Sequence, residues 1–183
     1  MPIYNCTIKL VGNESIQNLE KEIISRFKAD GVDDENTIAR ILYGIEKADP
    51  KSIMEKIGCD WLTLDVENEK VNLTTGEQLP IHLLEHIAIH ASKLDPKVIV
   101  SIDFEDEDFE IWGNTSIAMK RGVPKESNVQ LDLINRLIVD EKEFNKALRL
   151  NQEESTYEDV LTRKMFEDLK EQLRQMCIKA LDS

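Results

Sequence analysis

Cysteine is scarce in this sequence and never paired. Cys6, Cys59 and Cys177 are far apart in a chain of 183 residues, and no Cys-x-x-Cys motif occurs. Neither a zinc knuckle nor a disulfide framework is therefore indicated. Three dispersed thiols also cannot supply the four clustered ligands of an iron–sulfur cluster. The sequence predicts no cofactor and a reducing, cytoplasmic compartment.

Long hydrophobic runs and targeting signals are also lacking. The first residues, MPIYNCTIKL, have neither the basic region nor the long apolar region of a signal peptide. No run approaches the roughly 18 apolar residues of a membrane span. We expect a cytoplasmic protein that does not cross the membrane.

Motifs of common catalytic sites are missing. The sequence contains no GxxxxGK[ST], GxGxxG or GxSxG pattern, so nothing in it supports nucleotide binding or a nucleophilic serine. It names no catalytic residue. We predict a protein that is not an enzyme.

Positive charge is in deficit. The chain has 36 acidic and 23 basic side chains, and its net charge is −13. Such a surface repels phosphates, so direct binding of nucleic acid is not expected. It attracts basic partners, including proteins that themselves bind nucleic acid. The alternative is that the acidity only keeps a small protein soluble.

The hydrophobic pattern predicts an α+β fold. The predicted elements, in chain order, are a strand over 4–12, helices over 13–31, 33–50 and 51–58, a hairpin over 59–76, a helix after Pro80, and strands over 97–104 and 109–122. Asn13 is placed to cap the first helix. The order matches the βαββαβ order of a ferredoxin-like fold, an antiparallel sheet with helices on one face.

Strand signals stop near Pro124. We predict a first domain over residues 1–122 and a helical C-terminal extension over 125–183, with helices over 127–150 and 155–181. These helices form a hairpin packed on itself or on the sheet, or else an arm through which the chain forms a homodimer. The predicted apolar stripe of the last helix comprises Phe166, Leu169, Leu173, Met176 and Ala180.

Three segments resemble a known family. IGCDWLTLD (57–65), KLDPKVIVSIDFEDED (93–108) and FEIWG (109–113) are similar to the YubB ferredoxin-like domain family, over roughly residues 1–122. Plasmids, phages and other mobile elements carry this family. The resemblance implies the fold and a mobile-element origin, and it implies no catalytic residue.

Six carboxylates lie within eight residues at the tip of the last predicted hairpin. They are Asp103, Glu105, Asp106, Glu107, Asp108 and Glu110. Strand alternation places Asp103, Glu105 and Glu107 on one face, where they repel one another unless a cation lies close. The spacing is not that of an EF-hand. We predict that these six residues bind a basic partner; the alternative is a tip that only contacts water.

All three histidines, His82, His86 and His90, lie in one predicted helix at a spacing of four. The spacing places them along one side, away from the apolar face. Neighbouring pairs suit a zinc ion, but His82 and His90 are about 12 Å apart along the axis, so a three-histidine site is disfavoured. We predict no metal; a pH-sensitive interface is the other alternative.

The two tryptophans, Trp61 and Trp112, are predicted to lie in adjacent strands and to pack together in the core.

These patterns favour a phage or mobile-element accessory protein that acts by binding another protein. The predicted target is a basic surface of a host-defence protein that handles nucleic acid, such as a CRISPR–Cas nuclease, which this acidic protein would inhibit. One alternative is a metal-binding protein or hydrolase that combines the three histidines with the acidic hairpin. Another is a structural or regulatory oligomer built through the C-terminal helices.

Overall fold

Six strands form one antiparallel sheet in the computed structural model, which describes residues 3–30, 50–60, 62–67, 69–107, 111–132 and 157–182. The elements in chain order are β1 (Ile3–Val11), α1 (Glu14–Asp30), α2 (Pro50–Ile57), β2 (Leu62–Glu67), β3 (Lys70–Gly76), α3 (Ile81–Ala91), β4 (Ile99–Asp106), β5 (Ile111–Lys120), β6 (Val123–Asp132) and α4 (Tyr157–Asp182). The strand order across the sheet is β2-β3-β1-β4-β5-β6. The α+β class is confirmed, and the helix predicted over 33–50 lies outside the described residues up to residue 49.

The start of α1 is set by a capping side chain. Asn13 Oδ1 accepts hydrogen bonds from the backbone N–H groups of Ser15 at 2.9 Å and Ile16 at 3.3 Å. These donors have no partner within the helix, so the cap satisfies them. The predicted capping role of Asn13 is confirmed.

Strand alternation gives the sheet one apolar face. This apolar face comprises Cys6, Leu10, Leu62, Leu64, Val71, Leu73, Val100, Ile102, Phe104 and Ile117. Helices α1, α2 and α3 cover it with Ile16, Phe27, Ile53, Leu84 and Ile87 among others, and together they form the main hydrophobic core. Because successive strand residues point to opposite sides, the same register gives the sheet a second face with a different composition.

Strand β6 forms where the sequence predicts a helix. It pairs with β5 from Lys120 opposite Val123 to Ile111 opposite Asp132. The turn between them has positive φ at both Arg121 and Gly122, which is typical of a two-residue hairpin. The turn folds the chain back along the free edge of β5, and this pairing overrides a weak helical pattern. The helix predicted over 127–150 is therefore wrong at residues 127–132, and β6 extends past the predicted domain boundary.

Helix α4 packs on the face of the sheet opposite the other helices, across β4, β5 and β6. Helices α1 to α3 of the predicted first domain lie on one face, whereas α4, from the predicted C-terminal extension, packs on the sheet, one of the arrangements predicted for that extension. Among the α4 side chains that the structure describes, the buried apolar ones are Leu173, Cys177 and Leu181, whereas Met176 is 56% exposed. Leu173 belongs to the predicted stripe, whereas Cys177 and Leu181 lie beside it, so the buried side of α4 is rotated about the helix axis relative to the prediction. The rest of the predicted hairpin, residues 133–156, lies outside the described residues.

Candidate functional site

The acidic strand β4 presents two carboxylates on the face that α4 covers. Asp103 and Glu105 are two residues apart, so both point away from the apolar face. Their partners on β5 are Asn114 and Trp112. We call this surface the polar face and define it by Ser101, Asp103, Glu105, Trp112, Asn114 and Ser116. The prediction that Asp103 and Glu105 share a face is confirmed.

Two cations of α4 neutralise these carboxylates. Arg174 Nη2 pairs with Asp103 Oδ2, and Lys170 Nζ lies 3.2 Å from Glu105 Oε2 without the alignment of a hydrogen bond. Four residues of helix advance about 6.0 Å, and two residues of strand advance about 6.6 Å. The two spacings match, so one helical turn places a cation over each carboxylate.

The aromatic ring of Trp112 lies beneath the cation of Lys170. The ammonium is 5.0 Å from the ring centroid, within range of a cation–π interaction. Trp112 is 2% exposed, which confirms its predicted burial. Strands β2 and β5 are not adjacent as predicted, because three strands separate them. Trp61, the predicted packing partner of Trp112, lies outside the described residues. Trp112 packs between the sheet and α4.

Buried polar side chains form a hydrogen-bonded network beside the ion pairs. Asn114 Nδ2 donates to Ser101 Oγ at 2.7 Å and to Asp103 Oδ1 at 2.8 Å. Ser116 Oγ donates to Asn114 Oδ1 at 2.7 Å and lies 3.0 Å from Ser101 Oγ. Each residue is buried, so the network meets the requirement that polar groups removed from water be paired.

A cavity of about 520 Å³ opens next to the ion pairs. It lies where β1 continues past its last paired residue with β3, Ile8 opposite Val71. Residues of its polar wall include Lys9, Asn72, Asp103, Lys170 and Arg174. The Asp103–Arg174 pair is therefore reached from an open space rather than sealed within the core.

The other predicted partner-binding residues are arranged differently. Asp106 Oδ1 accepts a hydrogen bond from the N–H of Ile111 at 2.9 Å, closing the β4–β5 hairpin. Glu107 is exposed, and its backbone N–H donates to the carbonyl of Ile3 at 3.0 Å. Asp108 and Glu110 lie outside the described residues. Among the four of these carboxylates that the structure describes, Glu107 is the exposed one.

The histidines lie on the other side of the sheet, on α3. His82 Nδ1 is 3.3 Å from the carbonyl oxygen of Glu55 near the end of α2. The rings of His86 and His90 are 4.4 Å apart between centroids. Partial burial lowers the pKa of His90, and the neighbouring charges of His86 and Lys93 lower it further.

The sheet separates the histidines from Asp103 and Glu105. The structure therefore does not bring these two groups together, as a shared metal site requires. Within the described parts of the chain, no three possible metal ligands cluster.

The cations of this site were not predicted. Lys170 and Arg174 flank Leu173 on the buried side of α4, and the sequence signal for them is a pair of cations one helical turn apart. That signal is common on exposed helices. A pair of cations one turn apart indicates such a site only when the helix is known to lie over a strand whose carboxylates are two residues apart.

Comparison with protein-family models, with curated proteins and with solved structures finds no match to this chain. Within the described ranges, no helix combines the length and the apolar character needed to cross a lipid bilayer.

Proposed function

We propose that this protein is a non-enzymatic accessory protein of a phage or other mobile element, which binds a basic surface of a host protein in the cytoplasm. The proposed target is a defence protein that handles nucleic acid, such as a CRISPR–Cas nuclease, and the proposed effect is inhibition. The family resemblance and the net charge of −13 support this. Carboxylates arrayed on a protein surface compete for the groups that hold nucleic acid phosphates.

The pairing of Asp103 and Glu105 with Arg174 and Lys170 is the observation that carries the proposal. Within this chain, the β4 carboxylates already bind cationic side chains of a helix. The cations come from one face of a helix, the arrangement in which nucleic-acid-binding proteins often present them. The β4–β5 hairpin therefore has the chemistry that recognition of a basic protein requires.

The hairpin tip is the part of this surface that a partner meets first. Glu107 is exposed there, directly after the paired carboxylates of β4. Exposed charges raise the rate of association and fix orientation more than they add affinity. We assign Glu107 the role of steering a basic partner towards the hairpin.

The fold is proposed to be ferredoxin-like over β1 to β4. Strands β1 and β2 are both antiparallel to β3, and β3 and β4 are both antiparallel to β1. Each parallel pair is thus split by one strand, as in a double split βαβ arrangement with α1 and α3 as crossovers. In this interpretation, β5, β6 and α4 are additions to the common fold.

Salt-dependent binding tests the function. A purified CRISPR–Cas nuclease should be bound at low ionic strength, and the affinity should fall as salt rises, because the docking is electrostatic. Glu107→Lys should slow association, measured by surface plasmon resonance. Glu55→Lys makes the same charge change at an exposed position of α2 and should leave the association rate closer to that of the wild type.

The proposal is wrong for a given nuclease if no binding occurs at low salt. It is also wrong if Glu55→Lys slows association as much as Glu107→Lys does, since only net charge would then matter.

A further inference from the structure

The contact between α4 and the sheet differs in kind from the main core. The main core consists of apolar side chains and lies wholly on the opposite face. Under α4, the buried residues of the sheet include the polar Ser101, Asp103, Asn114 and Ser116, and, among the side chains that the structure describes, the apolar Trp112 and Ala118. Such a polar, ion-paired contact resembles an interface between proteins that bind and release each other more than it resembles a domain core.

The polar face keeps most of its hydrogen bonds when α4 is absent. The network of Ser101, Asp103, Asn114 and Ser116 is made entirely within β4 and β5. The contributions of α4 include the two ion pairs, the cation–π contact of Lys170 with Trp112, the hydrogen bond from Cys177 Sγ to the carbonyl oxygen of Asn114 at 3.2 Å, and the buried apolar side chains of Leu173 and Leu181. Water can replace the polar contacts of α4, so its removal leaves the polar groups of the sheet satisfied and exposes Trp112 and Ala118.

The guanidinium of Arg174 is incompletely satisfied. Arg174 is shared between Asp103 and Glu171 of its own helix, and its Nε is buried without a hydrogen-bond partner. A buried ion pair stabilises a contact only when its remaining donors are also paired. Another cationic group that reaches the same carboxylates can therefore compete with α4.

We propose that the polar face is a receptor for an amphipathic helix of the partner protein, and that α4 occupies this receptor until the partner displaces it. The partner helix presents Lys or Arg at positions i and i+4 and small or apolar residues at i+3, i+7 and i+11. These are the positions of Lys170, Arg174, Leu173, Cys177 and Leu181 in α4. The nature of this partner, a basic protein, rests on the proposed function.

The thiol of Cys177 reports opening of α4 in the unaltered protein. Cys6 and Cys59 lie in the main core, where burial raises their pKa to about 12; burial also raises the pKa of Cys177. When a thiol reagent is added to the native chain, Cys177 should be labelled before the other two. The rate of Cys177 labelling should rise with salt concentration, because salt weakens the ion pairs that hold α4 on the sheet. If all three thiols react together, α4 leaves only on global unfolding, and the proposal is wrong.

Binding of a helix in trans tests the receptor itself. The probe is a fluorescent peptide of residues 165–182 with Cys177→Ser, and its control carries Lys170→Glu and Arg174→Glu. The full-length Arg174→Asp chain should bind the probe at least about tenfold more tightly than the wild type, because its own helix competes less. The control peptide should not bind. A full-length Lys179→Asp chain, altered at an exposed position of α4, should behave like the wild type.

Three results would overturn the receptor proposal. The first is equal binding of the probe by the Arg174→Asp and wild-type chains, and the second is binding of the control peptide as tight as that of the probe. The third is a dimer of the Arg174→Asp chain on size-exclusion chromatography, which would make a second copy the occupant. If Arg174→Asp does not fold, Arg174→Gln serves in its place. If the probe binds and no basic nuclease does, the proposed function is wrong and the receptor proposal stands. If a nuclease binds and the probe does not, the receptor proposal is wrong and the proposed function stands.

Discussion

Arg174 of α4 and Asp103 of β4 form an ion pair that joins positions 71 residues apart in the sequence. Their side chains are 11% and 6% exposed. Removing Arg174 leaves the buried Asp103 carboxylate with Asn114 as its side-chain partner, and removing Asp103 leaves Arg174 paired with Glu171. Because neither replaces the lost opposite charge in full, Asp103→Ala and Arg174→Met should each lower the free energy of unfolding by about 3 kcal/mol. Urea denaturation measures this.

The double variant Asp103→Ala/Arg174→Met decides whether the pair acts as a unit. Its loss of stability should be smaller than the sum of the single losses by about 1 kcal/mol or more. Lys179→Met, at an exposed position of the same helix, should change stability little. Strictly additive losses would contradict direct coupling of Asp103 with Arg174.

Phe104 and Gly113 are opposite one another on β4 and β5. A Cβ at Gly113 would lie 2.1 Å from Cζ of Phe104, so the aromatic ring occupies the space of the missing side chain. Gly113→Ala should lower the free energy of unfolding by about 2 to 3 kcal/mol through overpacking. Thermal denaturation should show a partial recovery in Gly113→Ala/Phe104→Leu relative to Phe104→Leu alone. Equal penalties in both backgrounds would exclude this clash as the cause.

Loss of the Asn13 cap of α1 should reduce stability less than loss of the buried ion pair does. Asn13→Ala removes the side-chain acceptor for the N–H groups of Ser15 and Ile16 and should lower the free energy of unfolding by about 1 kcal/mol. Asn18→Ala is a matched control, because Asn18 is exposed within the same helix. A loss in the control as large as that in Asn13→Ala would mean that capping is not responsible.

Asp95 predicts a dependence of stability on pH. Its carboxylate accepts backbone hydrogen bonds from Asn13 at 2.8 Å and Lys97 at 2.9 Å, and these lower its pKa, Asn13 contributing most. A carboxyl whose pKa is lower in the folded state stabilises the fold above its unfolded pKa of about 3.9, and this contribution is lost as the pH falls through the folded pKa.

Asp95→Asn should therefore be less stable than the wild type at pH 7, and the difference should shrink as the pH falls below about 4. Urea denaturation at a series of pH values measures it. A difference that stays constant from pH 7 to pH 3 would show that the charge of Asp95 does not matter.

Local patterns were sufficient to predict most of the elements. Alternation identified β1 and the two hairpins, and helical spacing with Asn13 identified α1. The shared face of Asp103 and Glu105 also followed from alternation alone, since side-chain direction in a strand depends only on position parity. These features are encoded within a few residues of one another.

The remaining features depended on pairing between distant segments. The sequence from 125 to 132 is weakly patterned and became β6 because a turn at Arg121 and Gly122 returned it to the edge of β5. Likewise, the acidic face that the sequence assigned to an external partner received cations from α4. No local rule connects Asp103 with Arg174.

The sequence by itself determined the acidity of this protein, the parity that gathers its carboxylates on one face, and the types of its central elements. Only the tertiary structure decided what those carboxylates meet. The physical reason is that a charged strand face can be stabilised either by water or by contact with cationic side chains. The sequence of the strand does not distinguish between these two environments. The carboxylates contact cations because α4, far along the chain, packs on this face. Its Lys170 and Arg174 are one helical turn apart, a distance that matches the two-residue spacing of Glu105 and Asp103 in the strand.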